Sequence, residues 1–307
     1  PWRLVFKNLV CETHDSLYSD FCSKNRLCTT DITSEKKVEM SKTMKEKLAP
    51  KQFIKTPING TKNTILVSSA KGGVGKSTVA INLAFALQNL GLKIGILDAD
   101  VYGPSLPKLI DLNEKPKSED GKAIVPLEKY DAQCMSMGFL VDEQTPMIWR
   151  GPMVISAIKT MTQKVLWKDR DVIIIDMPPG TGDTQLTFAQ EVKVDGAIIV
   201  STPQDLALLD VKRGIQMFDK TGVKILGLID NMSYFKGDDG KEYKIFGESG
   251  VEKTAREFNK EFLGHLPIHQ DLRISADKGN PLTHSSPEHE VSKLFQDIAE
   301  KIRQSFL

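Results

Sequence analysis

The segment SSAKGGVGKST, residues 68 to 78, contains the residue types from which a phosphate-binding loop is built. Closely spaced glycines let consecutive backbone N–H groups converge on phosphate oxygens, and a helix that begins just after them adds the positive end of its dipole. Lys76 is expected to reach the β- and γ-phosphates of a nucleotide, and the Ser77 hydroxyl to ligate Mg²⁺. The pattern therefore predicts a nucleotide site formed by Gly72, Gly73, Val74, Gly75, Lys76, Ser77 and Thr78.

The same segment departs from the usual pattern G-x-x-x-x-G-K-[ST] in two places. Ala70 stands where that pattern has its first glycine, and Lys71 adds a second positive charge directly after it. The phosphates are expected to contact residues 71 to 78, so position 70 needs only a small side chain at the end of a strand. The extra lysine needs another explanation.

Three carboxylates follow apolar runs elsewhere in the chain. Asp98 and Asp100 end the run KIGILDAD, and Asp176 follows VIII in VIIIDMPPGTGD. Because the carboxyl ends of parallel strands meet at one edge of a sheet, these side chains are expected to lie beside the phosphate loop. Carboxylates at that place suit a magnesium–nucleotide site.

The elements that must position these residues are visible as alternating strands and helices. The runs TILVSS, KIGILDAD, DVIIIDMP, GAIIVST and VKILGLIDN lack polar alternation, which is typical of strands buried on both faces of a parallel sheet. Helical patterns lie between them, such as STVAINLAFALQNLG, ending at Gly91, and DLALLDVKRGIQMFDKTG, ending at Gly222. The sequence predicts an α/β fold with a doubly wound, mostly parallel sheet, as in P-loop NTPases.

Residues 1–60 differ from the rest of the chain. They are polar, have weak periodicity and carry three of the four cysteines; the chain begins at Pro1, and its first methionine is Met40. We expect residues 1–60 to be a flexible or non-native extension and residues 61–307 to form the ATPase domain.

The composition excludes several classes of protein. Lysine and arginine number 41 against 40 acidic residues, so no general attraction to nucleic acid or membrane is expected. No apolar run approaches the roughly 20 residues of a membrane-spanning helix. The first residues lack a secretory pattern, and their acidic side chains argue against a mitochondrial transit peptide. Four cysteines are too few for a disulfide-built fold of this size, so a cytoplasmic protein is expected.

The loop KGGVGKST, with its early lysine, resembles the deviant Walker A motif of the MinD, ParA and nitrogenase-iron-protein class of ATPases. The resemblance implies that Lys71 reaches across a homodimer interface to the partner's nucleotide. The motifs DADVYGPSLPKL, MSMGFL, WRGPM, DMPPGTGDTQL, STPQD, NMSYF, IFGESG and LPIHQDLR are similar to those of the Mrp/ApbC family of iron–sulfur cluster carriers. This similarity covers about residues 61 to 307.

The family resemblance implies a slow ATPase coupled to delivery of iron–sulfur clusters, with ATP, Mg²⁺ and a [4Fe–4S] cluster, and with iron–sulfur assembly proteins and apoprotein targets as partners. Lys71, Lys76 and Asp100 would be catalytic, with Asp100 orienting the attacking water. Ser77, Asp98 and Asp176 would hold the magnesium shell. Asn231 would read the adenine edge; a turn-forming asparagine at a strand end is the alternative.

The cysteine pair typical of these carriers is missing. Gly237 and Gly240 stand at about the usual positions, in a segment that reads as a polar hairpin turn around Asp-Gly. Cys11, Cys22 and Cys28 lack the C-x-x-C spacing of an N-terminal cluster group, and Cys134 is expected to pack in the core. The cluster ligands are therefore unknown from the sequence.

The histidines predict no zinc site, because Pro267 separates His265 from His269, and His284 and His289 lie in a polar stretch near Pro287. Two alternatives to a cluster carrier stay open: a cluster-free, ATP-switched scaffold of the same family, and a MinD/ParA-like positioning ATPase. The latter would bind membrane or DNA. The mixed charges of the amphipathic C-terminal helix favour packing on the domain over a lipid anchor.

Overall fold

The computed structural model describes residues 55–119, 123–140, 151–248 and 250–306. These belong to a unit that comprises Phe53–Leu307. The elements of its first half are β1 (Thr61–Ser68), α1 (Lys76–Asn89), β2 (Ile94–Asp98), α2 (Leu106–Leu109), β3 (Ser118–Glu119), β4 (Ala123–Ile124), β5 (Leu127–Lys129) and β6 (Ala132–Ser136).

The second half contains the longer helices. Its elements are α3 (Gly151–Gln163), β7 (Arg170–Asp176), α4 (Asp183–Glu191), β8 (Gly196–Ser201), α5 (Asp205–Thr221), β9 (Ile225–Asp230), β10 (Phe235–Lys236), β11 (Glu242–Tyr243), α6 (Gly250–Glu257), β12 (Phe262–His265), α7 (Gln270–Asp277), α8 (Leu282–Ser285) and α9 (Glu290–Phe306).

Eight strands form one sheet in the order β12-β9-β8-β1-β7-β2-β6-β5. All neighbouring pairs are parallel except β5 with β6, so the predicted doubly wound α/β fold is confirmed. β1 lies between β7 and β8, where the order of the strands reverses direction along the chain. Ligands of open α/β sheets bind at this kind of reversal, outside the carboxyl ends of the strands.

The five apolar runs identified in the sequence became the central strands β1, β2, β7, β8 and β9. Their inner residues are buried on both faces, which explains why they lack polar alternation. The helix ends follow the glycines: Gly91 and Gly222 have the positive φ angles of 88° and 66° that terminate a helix at low cost.

The C-terminal helix α9 packs on the domain as the sequence predicts. Val291, Phe295, Ile298 and Ile302 are buried, and α9 lies against α1. Its apolar face is thus covered by protein. Among the described residues, no helix has both the length and the apolar character needed to cross a membrane.

Residues just before Thr61 also pack on the domain. The Thr56 N–H donates to the Glu191 carbonyl at 2.8 Å, the Lys193 N–H donates to the Thr56 carbonyl at 2.9 Å, and Ile58 is buried. The packed part of the chain therefore begins by residue 56, inside the segment that the sequence assigned to the extension.

Candidate nucleotide site

The loop between β1 and α1 forms one wall of a cavity at the carboxyl edge of the sheet. The cavity has a volume of about 240 Å³ and is lined by Ser69, Gly72, Gly73, Gly75, Lys76, Ser77, Thr78, Asp100 and Pro179. The structure thus brings most of the predicted loop residues together with Asp100. Val74 is buried and does not line the cavity; its carbonyl accepts a hydrogen bond from Asn231.

Gly75 cannot be replaced without moving the loop. It has φ of 77°, a left-handed conformation, and it directly precedes the first residue of α1. A Cβ atom at this position would lie 2.4 Å from Nδ2 of Asn231. The glycine lets the loop turn into the helix while it rests on Asn231.

Lys76 and Asp176 form a buried ion pair inside the site. Lys76 Nζ also lies 3.4 Å from the Ser77 Oγ. Burial raises the pKa of Asp176, while the charge and hydrogen bond of Lys76 act in the opposite direction. The lysine that is expected to bind phosphate and the carboxylate that is expected to hold the magnesium shell are therefore bound to each other in this state.

Asp98 lies next to Asp176 on the neighbouring strand, but does not line the cavity. Its Oδ2 accepts the backbone N–H groups of Ser105 at 2.9 Å and Leu106 at 3.0 Å, and the Ser136 hydroxyl at 3.1 Å. Burial, followed by the charge of Asp176, raises the pKa of Asp98 to about 7. In this structure Asp98 fixes the loop that leads into α2, and its contact with the magnesium shell stays a prediction.

Asp100 reaches the cavity from the loop that Asp98 fixes. Its Oδ1 accepts the N–H groups of Tyr102 at 3.1 Å and Gly103 at 3.3 Å, which holds the side chain in a tight turn. Lys71 is half-buried and does not line this cavity. The loop therefore separates the two lysines, with Lys76 inside the site and Lys71 beside it.

Asn231 supports the phosphate loop from the end of β9. Its Nδ2 donates to the Val74 carbonyl at 2.8 Å. Its Oδ1 is buried and has no hydrogen-bond partner among the described residues. An acceptor in this position could receive a hydrogen bond from an adenine amino group, and that role stays a prediction.

Gln185 is a site residue that the sequence analysis missed. Its Oε1 accepts from the Ser68 hydroxyl at 3.0 Å, and its Nε2 donates to the carbonyl oxygens of Pro178 at 2.5 Å and Ser69 at 3.5 Å. The side chain is buried. It joins the end of β1 to the segment after Asp176. The motif DMPPGTGDTQL contains Gln185, but nothing in the local pattern predicts these contacts.

The segment that lacks the cysteine pair forms the hairpin β10–β11. The Gly240 N–H donates to the Gly237 carbonyl at 2.9 Å, and Asp239 accepts the Tyr243 hydroxyl at 2.9 Å. A Cβ atom on Gly237 would lie 2.8 Å from the Tyr243 ring, and Gly240 has φ of 75°. The predicted polar turn is present; a cysteine at position 237 would require the Tyr243 ring to move, and one at position 240 would have space but a strained backbone.

The cysteines do not supply thiolates near this site in the part of the chain that the structure describes. Cys134 is buried in β6, as predicted, and burial raises its pKa to about 12. A neutral buried thiol of this kind is a poor metal ligand. Cys11, Cys22 and Cys28 lie outside the described residues.

Comparisons with known proteins show the family of the chain. Residues 60–303 match a ParA-type family model described as NUBPL iron-transfer P-loop NTPase. The chain is 49% identical over 247 residues, 80% of its length and 79% of the relative's, to the Arabidopsis thaliana "Iron-sulfur protein required for NADH dehydrogenase, mitochondrial". It is 47% identical, over 80% of its length and 67% of the relative's, to an Escherichia coli iron–sulfur cluster carrier protein.

A solved structure is similar as well. It is the nucleotide-binding protein of Archaeoglobus fulgidus in complex with ADP, with 35% identity and a TM-score of 0.67 over 78% of this chain and 93% of that one. The glycine-rich loop, its buried lysine and the strand-end carboxylates therefore occur in the context of known nucleotide-binding relatives. The chain belongs to the NUBPL iron-transfer P-loop NTPase family.

Proposed function

We propose that this protein binds and slowly hydrolyses ATP as a homodimer, and that it assembles iron–sulfur clusters or transfers them to apoproteins. The observation that carries the proposal is the cavity at the carboxyl edge of the sheet, which the loop glycines, Lys76, Ser77 and Asp100 line together. The cluster is the cargo, as the name of the E. coli iron–sulfur cluster carrier protein indicates for that protein.

The residues of the cavity suit phosphoryl transfer, which needs positioning and charge neutralisation more than covalent chemistry. On nucleotide binding, Lys76 leaves Asp176 and pairs with the phosphates. Asp176 and the Ser77 hydroxyl are then available to hold Mg²⁺, which neutralises phosphate charge. Asp100 orients the attacking water from its tight turn. Asp98 keeps that turn in place through the N–H groups that it accepts.

The homodimer is supported by the position of Lys71 and by apolar side chains at the same edge of the sheet. Lys71 does not line its own cavity, so it is available to a nucleotide bound by a second copy. Tyr102, Leu206 and Leu209 are exposed on loops or helix ends that follow strands at this edge. A second copy placed over this edge would cover them.

A cluster-free scaffold is the second candidate, and the hairpin favours it over a carrier that holds the cluster there. Gly237 and Gly240 form a closed turn that has no thiolate. The iron and sulfide content per dimer after anaerobic reconstitution distinguishes the two candidates. The same measurement is made on a variant in which Cys11, Cys22 and Cys28 are changed to serine. A carrier retains stoichiometric cluster in at least the unmodified chain, whereas a scaffold retains none.

A membrane-positioning ATPase is less well supported, because the apolar face of α9 is buried in the domain. ATP-dependent pelleting with liposomes would reverse this ranking. The relatives include a bacterial carrier and a plant protein named as mitochondrial, so a cytoplasmic location stays a prediction.

The nucleotide site is tested by Lys76→Ala. Loss of a charge-assisted contact to phosphate should weaken ATP binding by about 10- to 100-fold. Binding is measured by equilibrium titration with a fluorescent ATP analogue. Lys93→Ala is the matched control, because Lys93 pairs with Asp169 on the surface and should leave binding unchanged. Equal affinity in the two variants would refute the assignment of this cavity.

A further inference from the structure

Two helix N-termini bring histidines and carboxylates together outside the nucleotide cavity. His269 precedes α7, and His289 precedes α9. One ligand atom each from His269, Asp271 and His289 lies within 4.8 Å of the others. The sequence comparison paired His265 with His269 and His284 with His289, whereas the fold brings His269 together with His289.

The four side chains of this histidine–carboxylate cluster (His269, Asp271, His289 and Glu290) face one another. His289 Nε2 lies 3.2 Å from the Asp271 Oδ2, and His269 Nε2 lies 3.6 Å from the Glu290 Oε1. The two rings are 4.9 Å apart and nearly perpendicular. The histidines are half-buried and the carboxylates exposed, so an ion can enter from solvent.

The donor set selects a class of ion. Two imidazole nitrogens with one or two carboxylate oxygens suit divalent first-row transition metals, whereas Mg²⁺ and Ca²⁺ prefer oxygen ligands alone. Lys236 is the neighbouring cation, and it is paired with Glu290 at 3.2 Å.

The helix caps oppose metal binding. The Nδ1 of His269 accepts the Asp271 N–H, and that of His289 accepts the Val291 N–H, each at 3.1 Å. A neutral ring in this arrangement carries its proton on Nε2. A metal at Nε2 requires the other tautomer, in which the single N–H proton of the ring is on Nδ1, so that Nδ1 releases the backbone N–H. Each lost cap weakens metal binding by roughly 2- to 30-fold, which favours a reversible site over a permanent one.

We propose that His269, Asp271 and His289, with Glu290 beside them, bind one divalent transition-metal ion such as Fe²⁺, Co²⁺ or Zn²⁺. The site is independent of the nucleotide cavity and of the proposed ATPase. It gives the chain a means of holding a metal ion next to the hairpin β10–β11, to which Glu290 is joined through Lys236.

Equilibrium dialysis with Co²⁺ tests this proposal on the untagged chain of residues 1–307. The measurement is made without nucleotide, so that Asp176 stays paired with Lys76, and serine at positions 11, 22 and 28 removes competing thiols. We expect one Co²⁺ per chain, displaced by Zn²⁺, and affinity at least about tenfold weaker in Asp271→Asn and in His289→Gln. Asp271→Asn keeps both backbone caps, so it should fold normally.

His284→Gln is the matched control, because His284 stacks on Tyr130 in another part of the domain. It should bind Co²⁺ as the parent does. Far-UV circular dichroism establishes that each variant is folded. The proposal is overturned if the parent chain binds no stoichiometric Co²⁺, or if Asp271→Asn and His289→Gln bind it as tightly as the control. In that event the cluster only caps the two helices.

Discussion

At the residue scale, the nucleotide site is a set of buried charges that restrain one another. Asp98 and Asp176 lie side by side on β2 and β7, and Lys76 compensates only the second of them directly. Asp98 depends instead on backbone N–H groups and the Ser136 hydroxyl. In the nucleotide-free state these buried charges lower the stability of the fold. The size of this effect can be measured from how the free energy of unfolding depends on pH.

Asp98→Asn should change how the stability of the nucleotide-free protein depends on pH. The pKa of Asp98 is raised from 3.8 to about 7, so the folded state binds the extra proton between these values and loses stability as pH rises through them. In the parent, the Asp98 proton makes the free energy of unfolding fall by about 1 kcal/mol per pH unit between pH 4 and 7, and the variant should lack this contribution. Urea titrations at several pH values measure it.

The exposed substitution Asp238→Asn, in the hairpin turn, serves as the control and should keep the slope of the parent. A slope in Asp98→Asn equal to that of the parent would mean that Asp98 does not hold a proton in the folded state.

Gln185→Leu should weaken both folding and turnover. The change leaves the Ser68 hydroxyl and the Pro178 carbonyl without their buried partner, at a cost of about 1–3 kcal/mol in the free energy of unfolding. ATP hydrolysis should fall because Pro179, which follows Pro178, borders the cavity. Gln190→Leu, a half-buried position on the same helix, should alter neither quantity by much. Equal behaviour of the two variants would contradict the positioning role of Gln185.

At the scale of elements, the sequence predicts those strands, helices and loops whose structure depends on residues close together in the chain. The five central strands were identified because they are buried on both faces. β6 was missed because it contains the buried polar residue Gln133, which accepts the Lys168 N–H at 3.0 Å. β12 was missed because it is short and contains a glycine. The phosphate loop is contiguous in sequence and was predicted. Contacts of Gln185 and of His269 with His289 join distant segments, and no local pattern encodes them.

The C-terminal helix provides a prediction at this scale. Phe295 is fully buried, whereas its neighbour Leu294 is half-buried. Phe295→Ala should lower the free energy of unfolding by about 3–5 kcal/mol, because it leaves a cavity under α9. Leu294→Ala should cost clearly less. Denaturant unfolding of both variants tests whether α9 belongs to the core of the domain, and equal losses would contradict that.

At the scale of the whole molecule, the two lysines of the loop lie in different places and have different proposed roles. Lys76 lies within its own cavity and is paired with Asp176, whereas Lys71 lies beside the cavity. In the proposed homodimer each copy of the chain would offer one Lys71 to the other, and ATP would act as the bridge between subunits. Dimerisation, hydrolysis and the handling of the cluster would then be coupled through a single contact.

The most direct test of this account is the rate of ATP hydrolysis by Lys71→Ala, measured beside ATP binding in the same preparation. The account predicts that binding stays close to that of the parent while hydrolysis falls by at least about tenfold, because charge stabilisation supplied in trans is lost. Unchanged turnover in Lys71→Ala would contradict the lysine contact across the dimer, and with it the proposal of an ATP-bridged homodimer.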